Sequence, residues 1–163
     1  MIKTQAHWDN FFMNMAYLVG SNSHDIRKVG CVIVRGEDIL SYSYNGTPRG
    51  WSNEMRDDNG ETYDHVIHAE AAAISKCARN GTALAGSTLY VTYEPCLNCA
   101  KLIASCGIVR VVYEDSSNCQ DGIQHLIKAG VAVRCIYDSK DMNNINCTLA
   151  DPEWLRKHTG LVS

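Results

Sequence analysis

A chain of 163 residues, 45% hydrophobic and 20% charged, has the size and balance of one ordinary domain, expected to span 1–163 with a polar tail from about residue 138. No apolar run approaches the ~18 residues of a membrane span, and a formal net charge of −3 with scattered basic residues gives no electrostatic basis for gripping polymeric nucleic acid. The stretch from Met1 to Gln5 carries one lysine and no long apolar core follows it, so a cytoplasmic setting is expected, the host's cytoplasm if the source is viral.

In chain order, Trp8, Phe11, Phe12, Met15 and Val19 repeat at helical spacing, and Gly20 is placed to end that first helix. Residues 29–35 and 38–44, rich in valine, isoleucine and tyrosine, flank Gly36-Glu37 and predict an antiparallel hairpin. Residues 45–64 are polar and glycine-rich and read as a long loop, a length usually associated with function or disorder. An alanine-rich helix is expected over 66–79, stopped at Asn80-Gly81. Then follow a strand at 87–92, a helix opening at Pro95-Cys96, a strand at 108–114, a helix over 119–129 and a strand at 131–137. Asp151-Pro152 is placed as the cap and first turn of a short final helix. Strands alternating with helices after an antiparallel start predict an α/β fold, a mixed five-stranded sheet flanked by helices.

Eight cysteines without a secretory signal point to metal binding more than to a disulfide framework. Only Cys96 and Cys99 are grouped. Cys31, Cys77, Cys106, Cys119, Cys135 and Cys147 read as small buried hydrophobes or idle thiols. Pro95-Cys96-Leu97-Asn98-Cys99 sets two thiols at i and i+3 on the first turn of a helix, where free N–H groups and the positive dipole end favour thiolates. By itself the pair is ambiguous, fitting half of a structural zinc site, a redox dithiol or part of a catalytic zinc site.

His68-Ala69-Glu70 also lies where a helix begins. Residues i and i+2 point roughly 200° apart on a regular helix, so the two side chains converge only if His68 occupies the irregular first position. Taken singly, His68 is an ordinary helix-start histidine and Glu70 a first-turn carboxylate favoured by the dipole. Together with the two thiolates, the imidazole makes three ligands and leaves a fourth tetrahedral position open for water, as in catalytic zinc sites. His65 is a fourth candidate but reads as a solvent or supporting residue. His7, His24, His125 and His158 are isolated. A zinc-stabilised binding module would need a protein fourth ligand, and a redox protein would hold no stoichiometric metal.

The H-x-E and P-C-x-x-C segments resemble the zinc-dependent cytidine and deoxycytidylate deaminases. The stretches Gly86-Ser87-Thr88-Leu89-Tyr90-Val91-Thr92, Tyr44-Asn45-Gly46-Thr47-Pro48-Arg49-Gly50 and Arg27-Lys28-Val29-Gly30 are similar to the deoxycytidylate branch, and the resemblance runs from the first helix to Val133. It implies a three-layer α/β/α domain, a homohexamer, and a hydrolase converting dCMP to dUMP and ammonia for dTMP synthesis. It also implies activation by dCTP, inhibition by dTTP, and Mg²⁺ accompanying a regulatory nucleotide. By the same resemblance His68, Cys96 and Cys99 are ligands of one Zn²⁺, Glu70 is the proton shuttle, the Ala69 backbone meets the base and Asn45 the sugar. Arg27 and Ser23 resemble the region that meets the 5′-phosphate, and Arg79 lies on a helix that the family uses near subunit contacts. Two positions depart from the pattern: Ala72 stands where asparagine is common, and Ser117 near where an aromatic is. Tyr93-Glu94-Pro95 is also similar to the tRNA-adenosine and riboflavin-pathway deaminases.

Overall fold

The side chains of β1 (Gly30–Arg35) alternate between two apolar clusters, and that alternation sets the layers of the molecule. The computed structural model describes residues 3–115 and 120–138. Cys31 and Ile33 point into the larger cluster, Val32 and Val34 into the smaller, so both faces of the strand are covered. β1 pairs antiparallel with β2 (Asp38–Tyr44) on one side and with β3 (Thr88–Val91) on the other. β4 (Arg110–Asp115) and β5 (Ala132–Asp138) continue in parallel, giving the order β2-β1-β3-β4-β5. The sheet is the mixed five-stranded one expected, with helices on both faces.

Among the described residues one face carries α1 (Gln5–Gly20) alone, through Phe12, Met13 and Ala16 against Val32, Val34, Tyr90 and Val112. The approach is close. A Cβ on Gly30 would fall 1.8 Å from the Ala16 carbonyl oxygen, so only glycine lets helix and strand touch there. The other face carries α2 (Ala69–Asn80), α3 (Leu97–Ser105) and α4 (Asp121–Lys128), which pack Ala73, Ile74, Cys77, Ala100, Ile103, Ile123 and Leu126 onto the sheet. Parallel pairing of β3, β4 and β5 follows from α3 and α4 serving as their crossovers.

Two expectations shift. The buried stripe of α1 is centred on Asp9, Phe12, Met13, Ala16 and Gly20, while Phe11 is 46% exposed and Trp8, Met15 and Val19 pack at the margin. An inward aspartate rotated the stripe: the Asp9 carboxylate accepts two bonds from Arg110, each 2.7 Å, another from Tyr90 Oη at 2.9 Å, and pairs with Arg134. Hydrophobic periodicity counts aspartate as outward and misses a buried pair. The second shift is the start of α2, three residues later than read, because Gly46 and Ile67 exchange backbone bonds of 2.8 and 3.1 Å in an antiparallel bridge. The expectations at Ser117, Cys119, Cys147, His158 and the Asp151-Pro152 helix lie outside the described residues. No described helix is long and apolar enough to cross a membrane.

Candidate metal centre and its cavity

Both helices that matter to the site start in one place and with one geometry. His68 caps α2 at φ −68°, ψ 151°, and Cys96 caps α3 at φ −67°, ψ 166°; neither side chain caps its own helix. An extended cap residue projects its side chain away from the helix axis, which frees His68 and Cys96 to face each other. This is the irregular first position that the spacing of His68 and Glu70 requires. Cys99 joins from the first turn of α3. The Nδ1 atom of His68 is 3.5 Å from the Sγ of Cys96 and 3.5 Å from that of Cys99, and the three atoms lie within 4.8 Å of one another.

Those distances pass a simple test. Zinc bonds of about 2.0–2.1 Å to nitrogen and about 2.3 Å to sulfur, set at a tetrahedral angle, place N and S roughly 3.6 Å apart. Among the described residues no fourth His, Cys, Asp or Glu joins the group. His65 does not: its ring stacks on Tyr63, centroids 5.1 Å apart, and leans on Trp51 at 4.9 Å. The donor set of one imidazole and two thiols therefore fits a metal ion held by three side chains.

The protons in this cluster are shared. Hydrogen bonds from Cys99 and His68 favour the Cys96 thiolate, while the same sharing together with burial pushes the Cys99 thiol up. His68 is raised by its bond to Cys96. A cation binding here displaces the remaining thiol proton. A packing contact supports the cluster from behind: a Cβ on Gly122 would fall 1.9 Å from the Pro95 carbonyl oxygen, so α4 lies directly against the chain that presents Cys96.

Glu70, in the first turn of α2, is 4% exposed, and burial pushes its carboxyl up to about 7. It lines a cavity of about 220 Å³ together with His68, Ala69 and Cys96. The rest of the wall comes from Asp25, Arg27, Val29 and Asn45 near the first hairpin, from Arg56, Thr62 and Val66 in the loop, and from Tyr93 and Glu94 before α3. Asn45 is buried and its orientation is fixed: Oδ1 accepts from Val29 N at 2.9 Å, and Nδ2 donates to Arg27 O at 2.9 Å and to Asp25 Oδ2 at 3.2 Å. The Arg27 guanidinium lies 4.8 Å over the Tyr93 ring. Ser23 is not among the lining residues; it is buried, donating to Asn45 O at 2.8 Å and accepting from Asp25 N. Arg79 is exposed in the last turn of α2.

Sequence reasoning missed Asp25, Arg56, Thr62, Val66, Tyr93 and Glu94 as cavity residues. Tyr93 and Glu94 had a usable signal, since they directly precede Pro95-Cys96. Arg56 and Thr62 had none, because a loop without periodicity gives no clue to which side chains turn inward.

A family model described as the cytidine and deoxycytidylate deaminase zinc-binding region matches residues 6–115. A deoxycytidylate deaminase of Schizosaccharomyces pombe is 36% identical over 140 residues, which is 78% of this chain and 43% of that one. The deoxycytidylate deaminase of a Mycobacterium phage is 38% identical over 125 residues, 68% of this chain and 96% of that one. The chain thus spans less than half of the yeast relative and nearly all of the phage one. The crystal structure of dCMP deaminase from cyanophage S-TIM5 in complex with dCMP and dUMP has the same fold, with a TM-score of 0.78 at 33% identity over 82% of this chain and 99% of that one.

Proposed function

Because the chain belongs to the cytidine and deoxycytidylate deaminase family, we propose that it hydrolyses dCMP to dUMP and ammonia. The observation that carries this reading is a three-ligand His/Cys/Cys group beside a buried carboxyl near neutrality, both on the wall of one cavity. His68, Cys96 and Cys99 would hold one Zn²⁺. When bound, the ion supplies the Lewis acidity that makes water a competent nucleophile at neutral pH.

Everything else falls to the side chains. Glu70, buried in the cavity wall, takes a proton from the attacking water as a carboxylate and delivers it to N3 of the cytosine ring, then takes the proton of the new C4 hydroxyl and gives it to the departing amine, leaving the C4 carbonyl. Burial serves this role, since a carboxyl at its ordinary value would release its proton too readily to act as an acid at neutral pH. The backbone at Ala69 is offered to the base. Asn45 keeps one lone pair on Oδ1 beyond its bond to Val29, enough to accept a sugar hydroxyl. Arg27 offers a cation to the 5′-phosphate, and Ser23, buried behind Asn45, acts by holding that strand end in place. Assembly as a homohexamer, activation by dCTP and inhibition by dTTP with Mg²⁺ on the nucleotide, and a cytoplasmic setting complete the proposal.

The test is ammonia release from dCMP, deoxycytidine, dCTP and cytosine, by zinc-loaded protein and by protein stripped with a chelator. The expected outcome is turnover of dCMP ahead of the rest, lost on stripping and restored by Zn²⁺. No turnover of dCMP by the loaded protein would end the reading, and equal rates on dCMP and deoxycytidine would remove the phosphate from it.

A further inference from the structure

Resting on the dCMP reading, we infer that Arg56, gripped by Asp25, is a specificity-determining residue that presents its guanidinium to the phosphate of the substrate. The loop over residues 45–67 is tied down at its root by the Gly46–Ile67 bridge, and within it Arg56 reaches back to the segment before β1. Its Nε donates to Asp25 Oδ1 at 2.7 Å, its Nη2 to Asp25 Oδ2 at 3.2 Å, and its Nη1 to Gly60 O at 2.8 Å. A guanidinium has five N–H bonds, so those three leave two more on a group that lines the cavity.

Asp25 is more than the counter-ion of Arg56. Its side chain is 3% exposed, and the same two oxygens also accept from Arg27 N at 3.2 Å and from Asn45 Nδ2 at 3.2 Å. One buried carboxylate is thus the junction for three polar residues of the cavity wall, Arg27, Asn45 and Arg56. A planar fork held along both edges is pre-organised, so little rotamer entropy remains to be lost when an anion arrives. Asp25 is spent on Arg56, and Arg27 adds a second guanidinium to the same wall. Two guanidiniums can make charge-assisted bonds to a dianionic monophosphate, and a neutral nucleoside gains nothing from them.

Steady-state kinetics on dCMP and deoxycytidine would test this with Arg56→Gln, Arg56→Lys and the double variant Asp25→Asn/Arg56→Gln. The double variant removes both charges, so no buried carboxylate is left unpaired to unfold the chain. Arg56→Gln is expected to lower the dCMP-to-deoxycytidine ratio of kcat/KM by about 10- to 100-fold, mainly through KM for dCMP. Arg56→Lys should recover part of that loss, because it keeps the charge without the fork. The double variant should match Arg56→Gln. A ratio unchanged in all three, or the two substrates falling together, would overturn the inference while leaving the dCMP reading intact. A wild-type protein that does not turn over dCMP would sink both.

Discussion

Two carboxylates are buried in this chain to nearly the same depth and are pushed in opposite directions. Asp9 is 0% exposed and Glu70 is 4% exposed, so burial alone penalises the charge of both. At Asp9 the hydrogen bonds and charge of Arg110, with help from Gln5 and Arg134, outweigh burial and hold the carboxyl below its ordinary value. At Glu70 no arginine or lysine ion pair is present among the described residues, and burial wins, lifting it to about 7. The difference separates a group that ties α1 to the sheet from one that can exchange its proton near neutrality. Full compensation fixes the charge, and incomplete compensation leaves the proton mobile.

The largest effect that could break this contrast is at Glu70. Glu70→Gln should lower dCMP turnover by ~10²–10⁴-fold while zinc content stays at the wild-type level. In metal-free protein the same substitution should raise stability at mildly alkaline pH. The folded pKa of about 7 lies above the ordinary 4.5, so the carboxyl is fully tolerated below 4.5 and destabilises increasingly as pH rises through 7. A shift of that size corresponds to up to ~3 kcal/mol that the neutral amide avoids. Urea unfolding of the two metal-free proteins would show it. Wild-type turnover in the variant, or a loss of stability in place of a gain, would refute the assignment of Glu70 as the uncompensated partner.

Next in size is Arg110→Met, which strands the Asp9 carboxylate with only Arg134, Tyr90 and Gln5. Removing one partner of a buried pair typically costs about 3–5 kcal/mol, and a similar loss is expected in the unfolding free energy. The double variant Asp9→Asn/Arg110→Met should recover much of it, because no charge is then left buried. Zinc content should not change, since Arg110 lies in the layer with α1 while His68, Cys96 and Cys99 belong to α2 and α3. A loss under about 1 kcal/mol would mean that water reaches Asp9 and that its burial is not real.

How far the sequence could be read follows the same division between local and long-range signals. His68 and Cys96 were legible because each sits at a helix start, a position marked by the residues beside it. The order of strands and helices was legible from alternating valine-rich and amphipathic segments. The inward face of α1 was not, because Asp9 meets Arg110 across 101 positions of chain and nothing near Asp9 announces that partner. Arg56 and Asp25, 31 positions apart, escaped for the same reason. The start of α2 was read too early because an alanine-rich pattern carries no sign that Ile67 is already bonded to Gly46.

The smallest expected effect is the one that depends on acid. Asp9 has a folded pKa below 3.8, so its stabilisation is fully present above that value and is lost as pH falls through the lower folded one. Glu70 slopes the other way, losing stability above 4.5. Taken by themselves, the two carboxylates are together at their most favourable between the ordinary values of 3.8 and 4.5, where Asp9 is still ionised in the folded chain and Glu70 still carries its proton. Measured by urea unfolding across pH, the gap between wild type and Asp9→Asn should stay constant from near-neutral pH down to about 5 and close only below about 4. A gap that shrank already between neutrality and pH 5 would mean that the arginines do not hold Asp9 ionised. The two carboxylates would then differ in degree of burial and not in the company they keep.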